Sequence, residues 1–252
     1  MHLLNDIQNK KIMLIVAHPD DETLWFFQSI QQLKSKNEIT IFCITYSANS
    51  KRGQELKSAI TDSQIKITFG NCEDTGISHL LKTIEVEQAF SKVFPNNSLD
   101  LVISHPPHGG EKPHPHHIQL YEMTRKYCKS HSVQFGFFSE QKILAKSLRE
   151  HDYFFDLKKK KYILFRLLQG YRLLHKNEKK TAFFFRLGLS VVCDFKIYMG
   201  FESSVNLKEK QSALAKFESQ EDILKNYNSF YRKFEFLFVE RPKSNALLSI
   251  FF

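Results

Sequence analysis

The sequence predicts an α/β fold: a mostly parallel sheet flanked by helices, built as one domain over residues 1–252. Aliphatic runs such as Lys11–Val16 (Lys-Ile-Met-Leu-Ile-Val) and Glu38–Thr45 (Glu-Ile-Thr-Ile-Phe-Cys-Ile-Thr) have the composition of strands buried on both faces. Segments of helical periodicity separate them, and strict alternation of strand and helix across short turns implies right-handed parallel βαβ units. The 252 residues are 42% apolar and 25% charged, close to soluble averages and at the upper end for a single core. No internal repeat or low-complexity linker interrupts the chain.

The first strand occupies 11–17 and runs into a polar turn, from which a helix spans 22–35. A second strand over 38–45 precedes a helix from about 52 to 64 and a short strand near 66–70. Residues 83–93 form a helix that stops before Pro95, whose ring cannot continue it. Strand 99–104, helix 116–129 and strand 133–138 (Val-Gln-Phe-Gly-Phe-Phe) continue the alternation. The last third supplies a strand at 194–201, helices over 207–228 and a final strand at 233–239.

Charge is distributed unevenly. The formal net charge is +9, and the block Leu157–Lys180 holds nine Lys or Arg against Glu178, a net +8. Tyr162, Leu164, Phe165, Leu168, Tyr171 and Leu174 recur there at partly helical spacing, as in an amphipathic basic helix inserted into the domain. Such a helix is either an ordinary surface helix with its apolar stripe on the core, or a contact for an anionic membrane or anionic substrates. No nucleic acid is expected as partner, because basic and aromatic residues form one compact block without a reader motif. The run Ala182–Cys193 is too short to span a bilayer and contains Arg186. Cys43, Cys72, Cys128 and Cys193 lack C-x-x-C spacing and read as small buried hydrophobes in a reducing compartment. The opening Met-His-Leu-Leu-Asn-Asp-Ile-Gln has no basic region leading into a long apolar stretch, so no secretory signal is expected. A cytoplasmic protein is expected, peripheral on the inner face of the membrane if the basic block meets lipid.

Chemistry-bearing residues gather at two predicted strand ends. Ala17-His18-Pro19-Asp20-Asp21-Glu22 follows the first strand, and the tip of a parallel strand is where an open α/β sheet binds ligands. His18 and Asp21 can reach one metal ion from a single turn, leaving Asp20 free to act on water. The plainer alternative is a helix N-cap, with Asp20 or Asp21 capping a helix that starts near Glu22 and Pro19 setting the turn. A hundred residues on, His105, His108, His114, His116 and His117 fall within a Pro/Gly-rich loop after the strand 99–104. Imidazole is the commonest metal ligand among side chains, although a solvated histidine-rich loop also picks up metal adventitiously. Two strand tips of one parallel sheet can converge, so His18, Asp21 and one of these histidines could share an ion.

These residues resemble a family, the LmbE-like or PIG-L metal-dependent N-deacetylases. Its A-H-P-D-D-E motif stands at Ala17–Glu22, and its H-P-D-H motif is matched by His114-Pro115-His116-His117, with His116 in the place of the Asp. Arg52-Gly-Gln-Glu55-Leu-Lys-Ser-Ala59 resembles the family's R-x-x-E-x-x-x-A helix start, and Glu73-Asp74 falls where an acidic residue follows the third strand. Lys208-Glu-Lys210-Gln-Ser-Ala-Leu214, then Phe217-Glu-Ser219-Gln220, is similar to its K-x-x-A-L…S-Q helix, and Glu235 to an acid of its closing strand. The likeness covers most of the chain apart from roughly 141–190. It implies a Rossmann-like sheet and one Zn²⁺ per chain, other divalent ions also fitting, held by His18, Asp21 and His117. It implies Asp20 as general base and His114 facing the oxyanion, where a donor lowers the barrier by roughly 3 kcal/mol. In the family the Asp of H-P-D-H supports that histidine; His116 cannot supply a fixed negative charge. Arg52, Asp74 and His116 are candidates for substrate contact. The implied substrate is an N-acetylglucosaminyl group on a small-molecule, lipid or nucleotide carrier. A catalytically weak or inactive metal-binding scaffold of the same fold is the alternative, and a metallohydrolase of another bond, such as an ester, is a third reading.

Overall fold

A computed structural model describes residues 2–94, 98–107, 109–110, 114–139, 198–227 and 231–240. The chain divides into two compact units, Met1–Lys142 with Tyr198–Pro242, and Ile143–Ile197 with Lys243–Phe252. All elements that follow belong to the first unit. The expected basic insertion at 157–180 falls within the second and lies outside the described residues. His108, Cys193 and the first part of the strand expected at 194–201 also lie outside them.

The described strands are β1 (His2–Leu3), β2 (Lys11–Val16), β3 (Glu38–Thr45), β4 (Ile65–Cys72), β5 (Leu101–Ser104), β6 (Gln134–Ser139), β7 (Tyr198–Ser204) and β8 (Phe234–Glu240). They form one sheet in the order β1-β7-β8-β6-β5-β2-β3-β4. Every pairing is parallel except those of β8, which runs antiparallel to both β6 and β7. The α/β class is thus borne out. Central β2 places Ile12 beside Ile39 of β3 and beside Leu101 of β5. From β2 the strand order progresses outward on one side through β3 and β4, and on the other through β5 and β6. That reversal makes the space beyond β2 and β5 a topological switch point, where loops diverge and leave a crevice.

The helices are α1 (Asp21–Leu33), α2 (Lys51–Ala59), α3 (Thr83–Val93), α4 (Pro115–Ser130), α5 (Leu207–Leu214) and α6 (Glu221–Leu224). Alternating side chains of a strand point to opposite faces, and β6 shows the helices cover both. Phe138 packs on Trp25 and Phe26 of α1, whereas Phe137 meets Tyr121 of α4. Ile12, Leu14 and Val16 of β2 join Leu24, Ile30 and Leu33 of α1, Leu56 of α2 and Leu214 of α5 in one core cluster. Burying such a side chain contributes about 1.5–3 kcal/mol, so both layers are well anchored.

Several boundaries differ from expectation. The second helix ends at Ala59 rather than near 64, because Ile60 leaves helical geometry (φ −108°, ψ 82°) and Asp62 caps a turn by accepting from the Gln64 N–H at 2.8 Å. The short strand near 66–70 is the eight-residue β4, partly exposed along an edge, where the burial signal is weak. The helical span 207–228 breaks at Phe217, whose wholly buried ring sits in the core and whose backbone (φ −91°, ψ 61°) is not helical. The two-residue β1 carries too little periodicity to be read from sequence.

Candidate metal centre

The turn after β2 gathers buried carboxylates at the strand tip. Asp20 adopts φ 134°, ψ −29°, a region that costs a non-glycine residue roughly 1–3 kcal/mol and is tolerated mainly where function requires it. Asp20 stands at the N-cap position of α1, and its backbone carbonyl starts the helix by accepting from Thr23 and Leu24. Its side chain caps nothing. The carboxylate turns instead to Arg52 of α2, whose Nη2 donates to Asp20 Oδ2 at 2.7 Å and to the Pro19 carbonyl at 2.9 Å. Asp21 closes the turn: its Oδ2 accepts the His18 backbone N–H at 2.8 Å. The capping alternative therefore fails for the Asp20 side chain.

Hydrogen bonds assign the histidines. His117 Nδ1 lies 2.9 Å from the Gly109 carbonyl, which can only accept, so Nδ1 carries the proton and Nε2 keeps its lone pair. That Nε2 is buried without a hydrogen-bond partner, 3.4 Å from Asp21 Oδ2. His18 Nδ1 lies 3.5 Å from the same oxygen. Donor atoms of His18, Asp21 and His117 all lie within 4.8 Å of one another, and all three residues are buried. Two imidazoles and a carboxylate, with one nitrogen orphaned and its ring aimed by a carbonyl, fit a divalent ion such as Zn²⁺. A second set, His18, His114 and His116, meets the same distance test.

The other histidines have different surroundings. His105 Nε2 accepts the Ala17 N–H at 2.9 Å, and its ring lies parallel to His117 at 3.9 Å, so its lone pair is occupied. His114 is the N-cap of α4, its Nδ1 accepting from the His116 N–H at 3.3 Å, with Pro115 favouring the helix start. The proton of His114 therefore resides on Nε2, and burial brings its pKa down to about 3, leaving the ring neutral. His116 is wholly buried. Its Nδ1 lies 2.9 Å from His18 Nε2 and its Nε2 lies 2.9 Å from Thr75 Oγ1. Its side chain thus engages His18, Thr75 and the His79 backbone, and its hydrogen bond to His114 comes from its own backbone.

Electrostatics separate the neighbouring carboxyls. Burial pushes the Asp20 carboxyl well above the usual carboxylate range, with Asp21 and Glu22 adding to the rise and Arg52 opposing it. Burial also acts on Asp21, but His117 and His105 outweigh it and hold Asp21 well below that range. Glu22, which sequence reading treated as a helix start, is wholly buried and pushed by desolvation to about 7. Its Oε1 accepts from Thr23 Oγ1 at 2.6 Å and its Oε2 from the Asp20 N–H at 3.3 Å. The other two candidates for substrate contact are already engaged. Arg52 holds Asp20 and lies over the Tyr46 ring at 4.8 Å, and Asp74 accepts from the Tyr46 hydroxyl and the Gly76 N–H.

Residues far along the chain fix this layer from behind. Glu55 of α2 accepts from the Ser219 N–H at 2.9 Å and from Ser219 Oγ at 2.6 Å. Glu235 of β8 accepts from Lys210 Nζ of α5 at 3.3 Å, and from the N–H and Oγ of Ser29 on α1 at 2.9 and 3.0 Å. The C-terminal motif residues are therefore clamps between elements, buried at Lys210 and Glu235 and exposed at Ser219.

Fold and site together define an α/β protein with a candidate metal centre at the switch point of its sheet. Residues 13–128 match the model of the PIG-L family, described as GlcNAc-PI de-N-acetylase. The resemblance read from the motifs is borne out over that segment. A probable N-acetylglucosaminyl-phosphatidylinositol de-N-acetylase of Dictyostelium discoideum is 27% identical over 147 residues, covering 52% of this chain and 56% of that protein. The alignment thus spans little more than half the length of that relative. Among solved structures, GalB, the 4-carboxy-2-hydroxymuconate hydratase of Pseudomonas putida KT2440, superposes with a TM-score of 0.47 at 8% identity, covering 92% of this chain and 97% of the hydratase.

Proposed function

We propose that this chain is a metal-dependent N-deacetylase that hydrolyses the acetamide of an N-acetylglucosaminyl-type sugar, with His18, Asp21 and His117 holding one Zn²⁺. The observation that carries the reading is the buried convergence of those three donors beside a separate carboxyl, Asp20, that no helix cap uses. When bound, the ion supplies a Lewis acid and lowers the pKa of a coordinated water towards about 7. Asp20 takes the proton of the attacking water and returns it to the departing amine. Burial raises its pKa, which makes the carboxylate a stronger base, and the Arg52 contact fixes its orientation. The Nε2–H of His114 donates to the oxygen on which negative charge develops.

The match at residues 13–128 and the de-N-acetylase name of the relative support this substrate class. That name also favours a lipid-linked carrier over a nucleotide-linked one. A cytoplasmic enzyme held at an anionic membrane by Leu157–Lys180 would suit such a substrate. No helix of the described residues is long and apolar enough to cross a membrane. Changing Lys158–Lys161 to Gln should release the protein from anionic vesicles in a salt-dependent way, each cation contributing on the order of 1 kcal/mol. The decisive experiment is acetate release from N-acetylglucosaminyl compounds on sugar, nucleotide and lipid carriers, with metal content measured alongside. Bound metal with no acetate from any of them would favour the scaffold reading.

A further inference from the structure

We propose that His116 is the positioning residue of His18, selecting which ring nitrogen His18 presents to a metal ion. The inference rests on the metal reading of His18 above, and its geometry runs through three hydrogen bonds whose directions are fixed from one end. The Thr75 hydroxyl has a single proton, and it goes to the Leu80 carbonyl at 3.1 Å, which can only accept. Towards His116 Nε2, 2.9 Å away, Thr75 Oγ1 is therefore an acceptor, so Nε2 of that ring carries the proton. A neutral imidazole has one N–H, which leaves His116 Nδ1 as a lone pair facing His18 Nε2 at 2.9 Å. His18 donates from Nε2, and its own lone pair is then on Nδ1, the atom 3.5 Å from Asp21 Oδ2. The relay thus runs from His18 through His116 and Thr75 to the Leu80 carbonyl.

The nearby acid does not take over this task. Asp74 Oδ1 lies 3.9 Å from both His18 Nε2 and His116 Nδ1, beyond hydrogen-bond reach, and its oxygens are engaged by Gly76 and Tyr46. The relay also decides between the two donor sets that share His18. An ion held with Asp21 uses Nδ1 of His18, whereas an ion held with His114 and His116 requires the Nε2 lone pair. A neutral ring has one lone pair, so the two seats exclude each other, and the relay favours the first. The histidine that stands where the resemblance implies an aspartate thus acts on a ligand through a neutral ring.

The test is Co²⁺ titration of the apo full chain, followed by its visible absorption, with Zn²⁺ affinity by competition. His116→Ala should weaken binding by roughly 10–100-fold, the usual effect of losing the partner of a ligating histidine, and should alter the Co²⁺ spectrum. His116→Asn places an amide oxygen where Nδ1 was and should restore most of the affinity and the spectrum. Thr75→Val, which breaks the relay one bond further out, should give a smaller loss of the same sign. Unchanged affinity in His116→Ala, or His116→Asn no better than Ala, would overturn the positioning role alone. A greater loss in His114→Ala than in His117→Ala would place the ion in the other seat and overturn the His18–Asp21–His117 assignment together with the positioning role. A wild type that binds no Co²⁺, or a His117→Ala variant that binds it as well, would overturn the metal reading and the positioning role with it.

Discussion

Lys210→Met is the substitution whose cost can be worked most directly from the structure. Lys210 and Glu235 are 1% and 2% exposed, and Lys210 Nζ stands 3.3 Å from Glu235 Oε1. At an effective dielectric of about 20, two unit charges at that distance attract by about 5 kcal/mol. The variant cannot lose all of this, because Glu235 can escape by taking up a proton. Protonating a glutamate from its ordinary value of 4.5 at pH 7 costs about 3 kcal/mol, at 1.36 kcal/mol per pH unit. The expected loss at pH 7 is therefore about 3 kcal/mol, or roughly 6–12 °C in Tm. The sign with pH follows. Burial already raises the Glu235 pKa in the native protein, with Lys210 opposing it, and removing Lys210 raises it further. A carboxyl with a raised folded pKa destabilises progressively above its unfolded pKa, so the cost of Lys210→Met should grow from under about 1 kcal/mol at pH 5 to its full value at pH 7. Urea unfolding of both proteins at the two pH values measures it, and adding Glu235→Gln should abolish the pH dependence. A loss below about 1 kcal/mol at pH 7, or one that does not shrink at pH 5, would refute this account of the clamp.

Asp20→Asn should leave metal content unchanged, measured by elemental analysis, and reduce acetate release at least a hundredfold, within the range for loss of a general base. Gly109→Ala should weaken metal binding in a Zn²⁺ competition assay. Gly109 has φ 81°, a Cβ there would meet the His114 amide nitrogen at 2.8 Å, and its carbonyl aims the His117 ring. Ser219→Ala should cost about 0.5–1.5 kcal/mol in urea unfolding, because its Oγ donates to Glu55 at 2.6 Å while Ser219 itself is exposed.

Much of this architecture is legible in the residues because the buried strands are nearly continuous apolar runs. β2 and β3 are found within a residue of their expected ends, since short apolar runs rich in β-branched residues and bounded by polar turns suit strands buried on both faces. The edge strand β4 and the break at Phe217 escape because tertiary packing, rather than local pattern, decides them. At the site, residue types announce metal chemistry but spacing cannot assign it. His105 and His117 are equally good donors on paper. They differ because one accepts the Ala17 amide while the other donates to the Gly109 carbonyl, contacts set by chain path. Arg52 is likewise visible as a motif residue, yet its bond to Asp20 depends on how α2 lies beside the β2 turn. Glu22 offers no sequence signal beyond its place in the motif, because its desolvation comes from the packing around it.

The clamp on Ser29 joins residues 206 positions apart. During synthesis, at roughly 5–20 residues per second, about 10 to 40 s separate the emergence of α1 from that of the strand that secures it. Over that interval the nascent chain carries its aspartate-rich turn and then its histidines before the sheet that orders them is complete. Pairings of such long sequence separation are also slow to form. A chain stalled or cut before Glu235 would hold every donor of the candidate metal site and lack the carboxylate that secures the helix bearing Asp21. Any ion that this candidate centre takes up would thus meet its full donor set in ordered form only after translation has run nearly to the end of the described strands.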